Sequence, residues 1–137
     1  MSNKSNFSIV ELGSLDNVRA KESFGTKGKF FLGEQLGITG CEISLGIIPA
    51  GQAVPFLHAH KENEEIYIFI KGTGIFSVDG EKMPVKEGSI IKVAPSGMRG
   101  LKASSEDLHY ICVQSKENSL KQATMDDGII SEEQPSW

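Results

Sequence analysis

The sequence predicts an all-β fold, and two features of the chain support that prediction. Short apolar runs rich in β-branched and aromatic residues recur along it. Clusters of Gly, Pro, Asn, Asp and Ser separate these runs about every ten residues, a spacing typical of a sandwich or a barrel and not of βαβ units. A chain of 137 residues is long enough for one domain whose core needs neither a disulfide nor a structural metal.

The predicted strands follow the apolar runs in chain order. They cover residues 29–36, 41–48, 65–71, 75–78, 81–85, 89–94 and 108–114. The dipeptide Asp79-Gly80 lies between two of them and predicts a tight hairpin, because a type I′ turn needs positive φ at both central residues. Cys41 and Cys112 fall within predicted strands, and we interpret both as buried thiols.

The two ends of the chain differ from its centre. Residues 1–28 are predicted to form an N-terminal arm, disordered over 1–6 and with a strand over 7–12 that joins a sheet or a partner subunit. Residues 29–115 form the predicted barrel core. Residues 116–137 are a polar, acidic extension in which 117–125 is the one helical pattern, and Trp137 is interpreted as a packing anchor.

Charge and hydropathy exclude two classes of partner. The net charge is −4 without a basic cluster, which argues against nucleic acid because phosphate neutralisation needs grouped Lys and Arg. No segment approaches the roughly 20 apolar residues that span a bilayer, and residues 1–9 contain no apolar signal region. We therefore expect a soluble cytoplasmic protein without a membrane partner.

The segment around His58-Ala-His60 contains the strongest indication of chemistry. In an extended chain, residues i and i+2 point to the same face, so His58 and His60 can reach one ion together, and a turn over 61–64 can return Glu65 to the same point. Two imidazoles and a carboxylate form a ligand set for a divalent metal. The alternative is a metal-free polar group that lines the barrel and is hydrogen-bonded to Glu65 or to water.

The same segment resembles the first motif of the cupin superfamily. In that motif a Gly precedes His-x-His, and three or four residues, a Glu, six residues and a Gly follow. Here Gly51 precedes His58-Ala-His60, and Glu65 and Gly72 follow at the family spacing. The one departure is six residues, and not five, between Gly51 and His58.

The resemblance extends to the second cupin motif, in which a Gly is followed by Pro-x-Gly, two residues, a His and later an Asn. This chain has Gly88 and then Pro95-Ser-Gly97, but Gly100 stands at the histidine position and Ser104 at the asparagine position. Together the two motifs cover about residues 40–114.

Similarity to cupins implies a double-stranded β-helix, a small jelly-roll barrel with the site inside its mouth. Complete cupin sites use three His and one Glu, whereas this chain keeps His58, His60 and Glu65. The resemblance therefore implies an incomplete set that can hold Fe, Mn, Zn or Ni as the divalent ion. Cupins of this kind usually pair, so we also expect a homodimer.

Further residues are candidates for a substrate pocket beside the metal. They are Phe56, Tyr67, Phe69 and Arg99. Arg99 either points into the mouth, where it pairs with Glu65 or anchors a small anionic ligand, or lies on the surface. His109 is either a structural residue or a replacement for the fourth ligand. It shares a strand face with Ile111 and Val113, opposite Leu108, Tyr110 and Cys112. The pattern does not show which face is inward.

The sequence is compatible with three functions. The first is a metal-dependent enzyme of the oxygenase, isomerase or decarboxylase type that acts on a small organic molecule. The second is a metal-free cupin that binds a small organic ligand without catalysis. The third is an accessory subunit whose barrel serves association only. The sequence contains no convincing acid-base pair beyond the ligands that would select among them. The fold does not select among them either, because one fold supports many activities.

Overall fold

A computed structural model describes residues 6–121 and 126–137 of the chain. Ten strands dominate these residues, with one 3₁₀ helix, Leu15–Ala20, and one single-turn α-helix, α1, Gly33–Leu36. The strands are β1 Glu22–Ser23, β2 Thr26–Lys27, β3 Lys29–Phe31, β4 Glu42–Ile48, β5 Asn63–Lys71, β6 Thr73–Val78, β7 Glu81–Lys86, β8 Ile90–Val93, β9 Arg99–Ala103 and β10 Leu108–Lys116.

The strands form two antiparallel sheets and a small hairpin. The larger sheet has the order β3-β4-β10-β5-β8, the smaller sheet has the order β7-β6-β9, and β1 pairs with β2 alone. Side chains alternate across each strand, so β5 sends Glu65, Tyr67 and Phe69 inward while β10 sends Tyr110 and Cys112 to the same interior. The core therefore lies between the two sheets, with Phe76 of β6 fully buried within it.

Six of the seven predicted strands are confirmed to within two residues at each end: β4, β5, β6, β7, β8 and β10. The predicted hairpin turn is also confirmed. Asp79 and Gly80 have φ values of 52° and 84°, and the strands on either side pair from Val78 and Glu81 outward. The predicted all-β jelly roll in a single domain is correct.

The prediction of a strand over residues 29–36 is wrong in its second half. The strand ends at Phe31 and α1 follows, with the Gly33 amide at its start donating a hydrogen bond of 2.7 Å to the Glu42 carboxylate. Gly37, at a φ of 67°, then ends the helix.

The chain ends also depart from prediction. Residues 7–12 form no strand within this chain, and residues 117–121 are a turn and irregular chain in place of a helix. Trp137 is fully exposed, so the interpretation as a packing anchor is wrong for the single chain. The rest of the predicted helix, 122–125, and the predicted disorder over 1–5 lie outside the described residues.

No helix within 6–121 or 126–137 is long and apolar enough to cross a membrane.

Candidate metal and ligand site

The segment from His58 to His60 is held in an extended form against the start of β9. His58 and Arg99 exchange two backbone hydrogen bonds, of 3.0 Å and 2.9 Å, and the His60 amide donates to the Pro95 carbonyl at 2.8 Å. An extended segment directs residues two apart to one side. Both imidazoles consequently face the interior, where β5 places Glu65.

The structure brings together the three side chains predicted as metal ligands. His58 Nε2 lies 3.4 Å from Glu65 Oε1, and His60 Nε2 lies 3.2 Å from Glu65 Oε2. One potential ligand atom from each residue falls within 4.8 Å of the other two. The two imidazoles therefore point to the same place, as the His-x-His spacing predicts.

These atoms fit a divalent cation in spacing and in hydrogen bonding. Ligands bonded at about 2.1 Å to one ion with angles of 90–110° lie roughly 3.0–3.4 Å apart, and the distances from His58 to Oε1 and from His60 to Oε2 of Glu65 fall in that range. His60 Nε2 is buried and makes no hydrogen bond with any described residue, although a carboxylate oxygen is near. A nitrogen lone pair directed at an ion explains that arrangement. Two imidazoles and one carboxylate suit Fe(II), Mn(II), Zn(II) or Ni(II).

Arg99 lies inside the barrel with only 1% of its surface exposed, so the surface placement is wrong. Its Nε is 3.3 Å from Glu65 Oε1, and its Nη1 donates a 2.8 Å hydrogen bond to the Gly97 carbonyl. Gly100, which occupies the motif position of the missing histidine, faces away: an added Cβ would contact Leu57 and Ser77. The alternation along β9 thus gives the inward position to Arg99 and pairs its guanidinium with Glu65.

Glu65 has two further neighbours in the interior. The Tyr67 hydroxyl donates to Glu65 Oε1 at 2.8 Å, and Cys112 Sγ lies 3.5 Å from Oε2. Burial by itself raises the pKa of Glu65, but hydrogen bonds from His58 and Tyr67 and the charges of His60 and Arg99 outweigh it and lower the pKa to about 2. Glu65 is therefore an anion throughout the physiological range of pH.

The same environment keeps the Cys112 thiol protonated. Burial, and then the negative charge of Glu65, raise the pKa of Cys112 to about 12. Burial likewise raises the pKa of Tyr67, which stays a phenol that donates to Glu65. Cys112 is buried, as predicted from its strand, but the sequence alone did not place it beside Glu65.

A cavity of about 290 Å³ adjoins this group and opens at the barrel mouth. Of the four predicted pocket residues, Phe56, Tyr67 and Arg99 line it, and Phe56 stands half exposed at the rim. The prediction for Phe69 is wrong. It points inward two residues beyond Tyr67, deeper in the barrel, and packs on Phe76 and Tyr110 as part of the core.

His109 does not replace the missing fourth ligand. It lies on the face of β10 opposite Tyr110 and Cys112, where its Nε2 is 3.6 Å from Asp16 Oδ1 at the 3₁₀ helix. Sequence reasoning missed Lys29 and Tyr110, which both line the cavity. Only the alternation along residues 108–114 signalled Tyr110, and that strand is apolar on both faces.

Comparisons with known proteins agree with this architecture. The cupin-domain family model matches residues 44–114. The crystal structure of a cupin protein from Bacteroides fragilis is 38% identical, covers 82% of this chain and 97% of its own, and superposes with a TM-score of 0.73. A structure from Thermotoga maritima, described as a predicted oxalate decarboxylase, is 25% identical over 54% of this chain and 64% of its own, with a TM-score of 0.51.

An uncharacterised protein of Methanocaldococcus jannaschii is 41% identical over 49 residues. That stretch covers 36% of this chain and 38% of the archaeal protein. The family match includes the His-x-His segment, β5 with Glu65, and β9 with Arg99, the three parts that build the site. With the motif spacing, the two-sheet topology and the likeness to the Bacteroides structure, it establishes that this chain belongs to the cupin family.

Proposed function

We propose that this protein is a metal-dependent cupin that binds one divalent cation through His58, His60 and Glu65 and acts on a small organic molecule in the adjoining cavity. The main support is the convergence of the three side chains, with His60 Nε2 buried and left without a hydrogen bond among the described residues. A bound divalent ion supplies Lewis acidity, which polarises an oxygen atom of a ligand beside it.

The chain's own residues prepare the site. Because the pKa of Glu65 is lowered, its carboxylate is already ionised and loses no proton when it binds a metal. The Tyr67 hydroxyl and Arg99 fix the orientation of that carboxylate. Aromatic rings, among them those of Phe56 and Tyr67, give the cavity a largely apolar wall. The reaction class we propose is that of an oxygenase, isomerase or decarboxylase. The Thermotoga relative, by its printed description, gives weight to a carboxylate substrate.

One observation favours a second candidate, a metal-free cupin that binds a small ligand. The Arg99 guanidinium, 3.3 Å from Glu65 Oε1, already neutralises the carboxylate and opposes a second cation beside it. In this candidate, His58 and His60 would serve as hydrogen-bonding groups in the cavity.

A metal titration distinguishes the two candidates. Protein purified without nickel affinity and treated with EDTA is titrated with Mn(II) and Zn(II) in a calorimeter. We expect one ion per chain, and at least a hundredfold loss of affinity in the double variant His58→Ala/His60→Ala, because two of the three ligands are gone.

The variant His109→Gln is the matched control, since it removes the third histidine from the opposite face of β10. It should bind the ion like the unaltered protein. Absence of stoichiometric binding, or equal affinity in the double variant, contradicts the metal-dependent function and leaves the metal-free candidate.

A further inference from the structure

We propose that Lys29, together with the Tyr110 hydroxyl, binds the carboxylate of a small acid with an apolar or aromatic body. This assignment rests on the proposed function, because it names the substrate class for the same cavity. It also assigns the binding of the anion to Lys29 in place of Arg99, because the Arg99 guanidinium already contacts Glu65 and donates to the Gly97 carbonyl.

Strand register brings Lys29 and Tyr110 together across a glycine. Lys29 of β3 and Tyr110 of β10 are both cross-strand partners of Gly46 on β4, which lies between the two strands. Gly46 has no side chain, and a Cβ there would come within 2.5 Å of the Tyr110 ring. The Lys29 side chain therefore crosses Gly46, and its Nζ reaches the Tyr110 hydroxyl at 3.1 Å.

The described lining of the cavity has one more cationic side chain than carboxylates. Lys29 and Arg99 both line it, whereas Glu65 is the one carboxylate among its described lining residues. Glu65 is paired with Arg99. Among the ion pairs of residues 6–121 and 126–137, none involves Lys29. The Lys29 ammonium instead rests 4.7 Å above the centre of the Tyr110 ring. A half-buried ammonium with donors to spare favours an anionic ligand.

Size and lining define the rest of the ligand. A volume of about 290 Å³ lies at the lower limit, roughly 300 Å³, of pockets that hold drug-sized molecules, so the ligand is small. Aromatic rings of Phe24, Phe31, Phe56 and Tyr67 form much of the wall. An apolar or aromatic body fits between those rings, with its carboxylate at Lys29 and Tyr110.

Pairs of probes that differ only in charge test this assignment. Benzoate, phenylacetate and 3-phenylpropanoate, each compared with its own carboxamide, are titrated into EDTA-treated full-length protein at pH 7. We expect at least one acid to bind more tightly than its amide. Lys29→Met should weaken that acid about tenfold or more while changing the amide little, since a charge-assisted hydrogen bond is lost.

Lys27→Met is the matched control, because Lys27 is an exposed lysine on β2 outside the cavity lining. It should leave both affinities unchanged, whereas Lys29→Arg should retain most of the preference for the acid, and Tyr110→Phe should lose a smaller part of it. Equal weakening of acid and amide by Lys29→Met, or no acid that binds better than its amide, overturns the inference.

The readout separates this inference from the proposed function. Lys29→Met should still bind one Mn(II) per chain, because Lys29 is not one of the three ligands. If metal binding fails while the charge effect at Lys29 persists, the proposed function fails alone. If metal binds to His58 and His60 while Lys29 makes no difference to the acids, the substrate assignment fails alone.

Discussion

The two carboxylate oxygens of Glu65 face five polar side chains in the barrel interior. Oε1 faces His58, Tyr67 and Arg99, whereas Oε2 faces His60 and Cys112. An isolated buried carboxylate or guanidinium is costly, and the close approach of Glu65 and Arg99 offsets that cost for both. Removing either charge therefore leaves the other buried without its counter-charge, which lowers the stability of the fold.

The first prediction concerns this pair. Glu65→Gln should lower the free energy of unfolding by about 3 kcal/mol at pH 7, because it leaves Arg99 buried without a counter-charge. Glu64→Gln is the control: Glu64 precedes Glu65 on β5, points to the opposite face and should change stability by no more than about 0.5 kcal/mol. Urea denaturation of metal-free protein measures both.

The difference between the unaltered protein and Glu65→Gln should also depend on pH. Folding lowers the pKa of Glu65 from 4.5 to about 2, so the stabilisation from its charge is fully present above pH 4.5 and is lost as the pH falls towards 2. The two unfolding free energies should therefore converge in acid. A gap that stays constant from pH 7 to pH 2.5 would argue against an ionised Glu65 in the interior.

At the residue scale, the sequence predicted contacts between side chains that are close together in the chain. His58, His60 and Glu65 lie within one short segment, so their convergence follows from strand alternation and one return of the chain. The orientation of Arg99 could not be predicted, because a shift of one residue in register moves a side chain to the other face. Lys29 and Tyr110 are 81 residues apart, and only the strand order β3-β4-β10 brings them into contact.

Among the elements, continuous apolar runs were predictable and interrupted ones were not. Five strands follow such runs and β7 was predicted from the Asp79-Gly80 turn, whereas β9 was missed because Arg99, Gly100 and Lys102 break its pattern. Its inward positions are nevertheless buried, including Leu101 and Ala103. The N-terminal half of the predicted 29–36 strand was correct. The second half is α1, whose first amide, that of Gly33, donates to Glu42, nine residues away in the sequence.

The second prediction concerns the link between β5 and β6. Gly72 has a φ of 94°, and a Cβ there would collide with the backbone carbonyl of Asp107. Gly72→Ala should therefore lower the free energy of unfolding by at least about 2 kcal/mol, since both strain and a backbone clash oppose it. Chemical denaturation provides the measurement.

Gly40→Ala is the matched control for that substitution. Gly40 does not have a positive φ, and an added Cβ meets no atom within 4 Å. It should leave stability nearly unchanged or raise it slightly. Similar midpoints for the Gly72 and Gly40 variants would show that the β5–β6 link tolerates a side chain.

At the scale of the whole molecule, exposed apolar side chains lie near both ends of the chain. Phe7 and Ile9 are exposed before the 3₁₀ helix, and Ile129, Ile130 and Trp137 are exposed in the C-terminal extension. The edge strand β7 contains Pro84, which cannot donate to a neighbouring strand, so it is poorly suited to pairing. We propose a homodimer in which residues 7–12 or 128–131 add to an edge of the larger sheet of a second copy.

The third prediction is the mass of the protein in solution. Light scattering on the full-length chain at micromolar concentration should give twice the monomer mass of 14.9 kDa. The double variant Phe7→Asp/Ile9→Asp should shift the equilibrium towards monomer, because charge opposes burial of that segment. Lys4→Asp changes charge in the same arm without removing an apolar side chain and serves as the control. A monomer mass for the unaltered protein would rule out the dimer.

The wall contributed by β1 to β3 lies outside the residues that match the family model. Phe24, at the tip of the β1–β2 hairpin, and Lys29 and Phe31 of β3 all line the cavity, and all precede the residues 44–114 that match the family. The ligands proposed for the metal lie within those matched residues. Part of the ligand choice would then be encoded before the stretch that holds the metal ligands, while Phe56, Tyr67 and Tyr110 contribute from within it, so that replacing residues 22–31 could retune which acid enters without altering His58, His60 or Glu65.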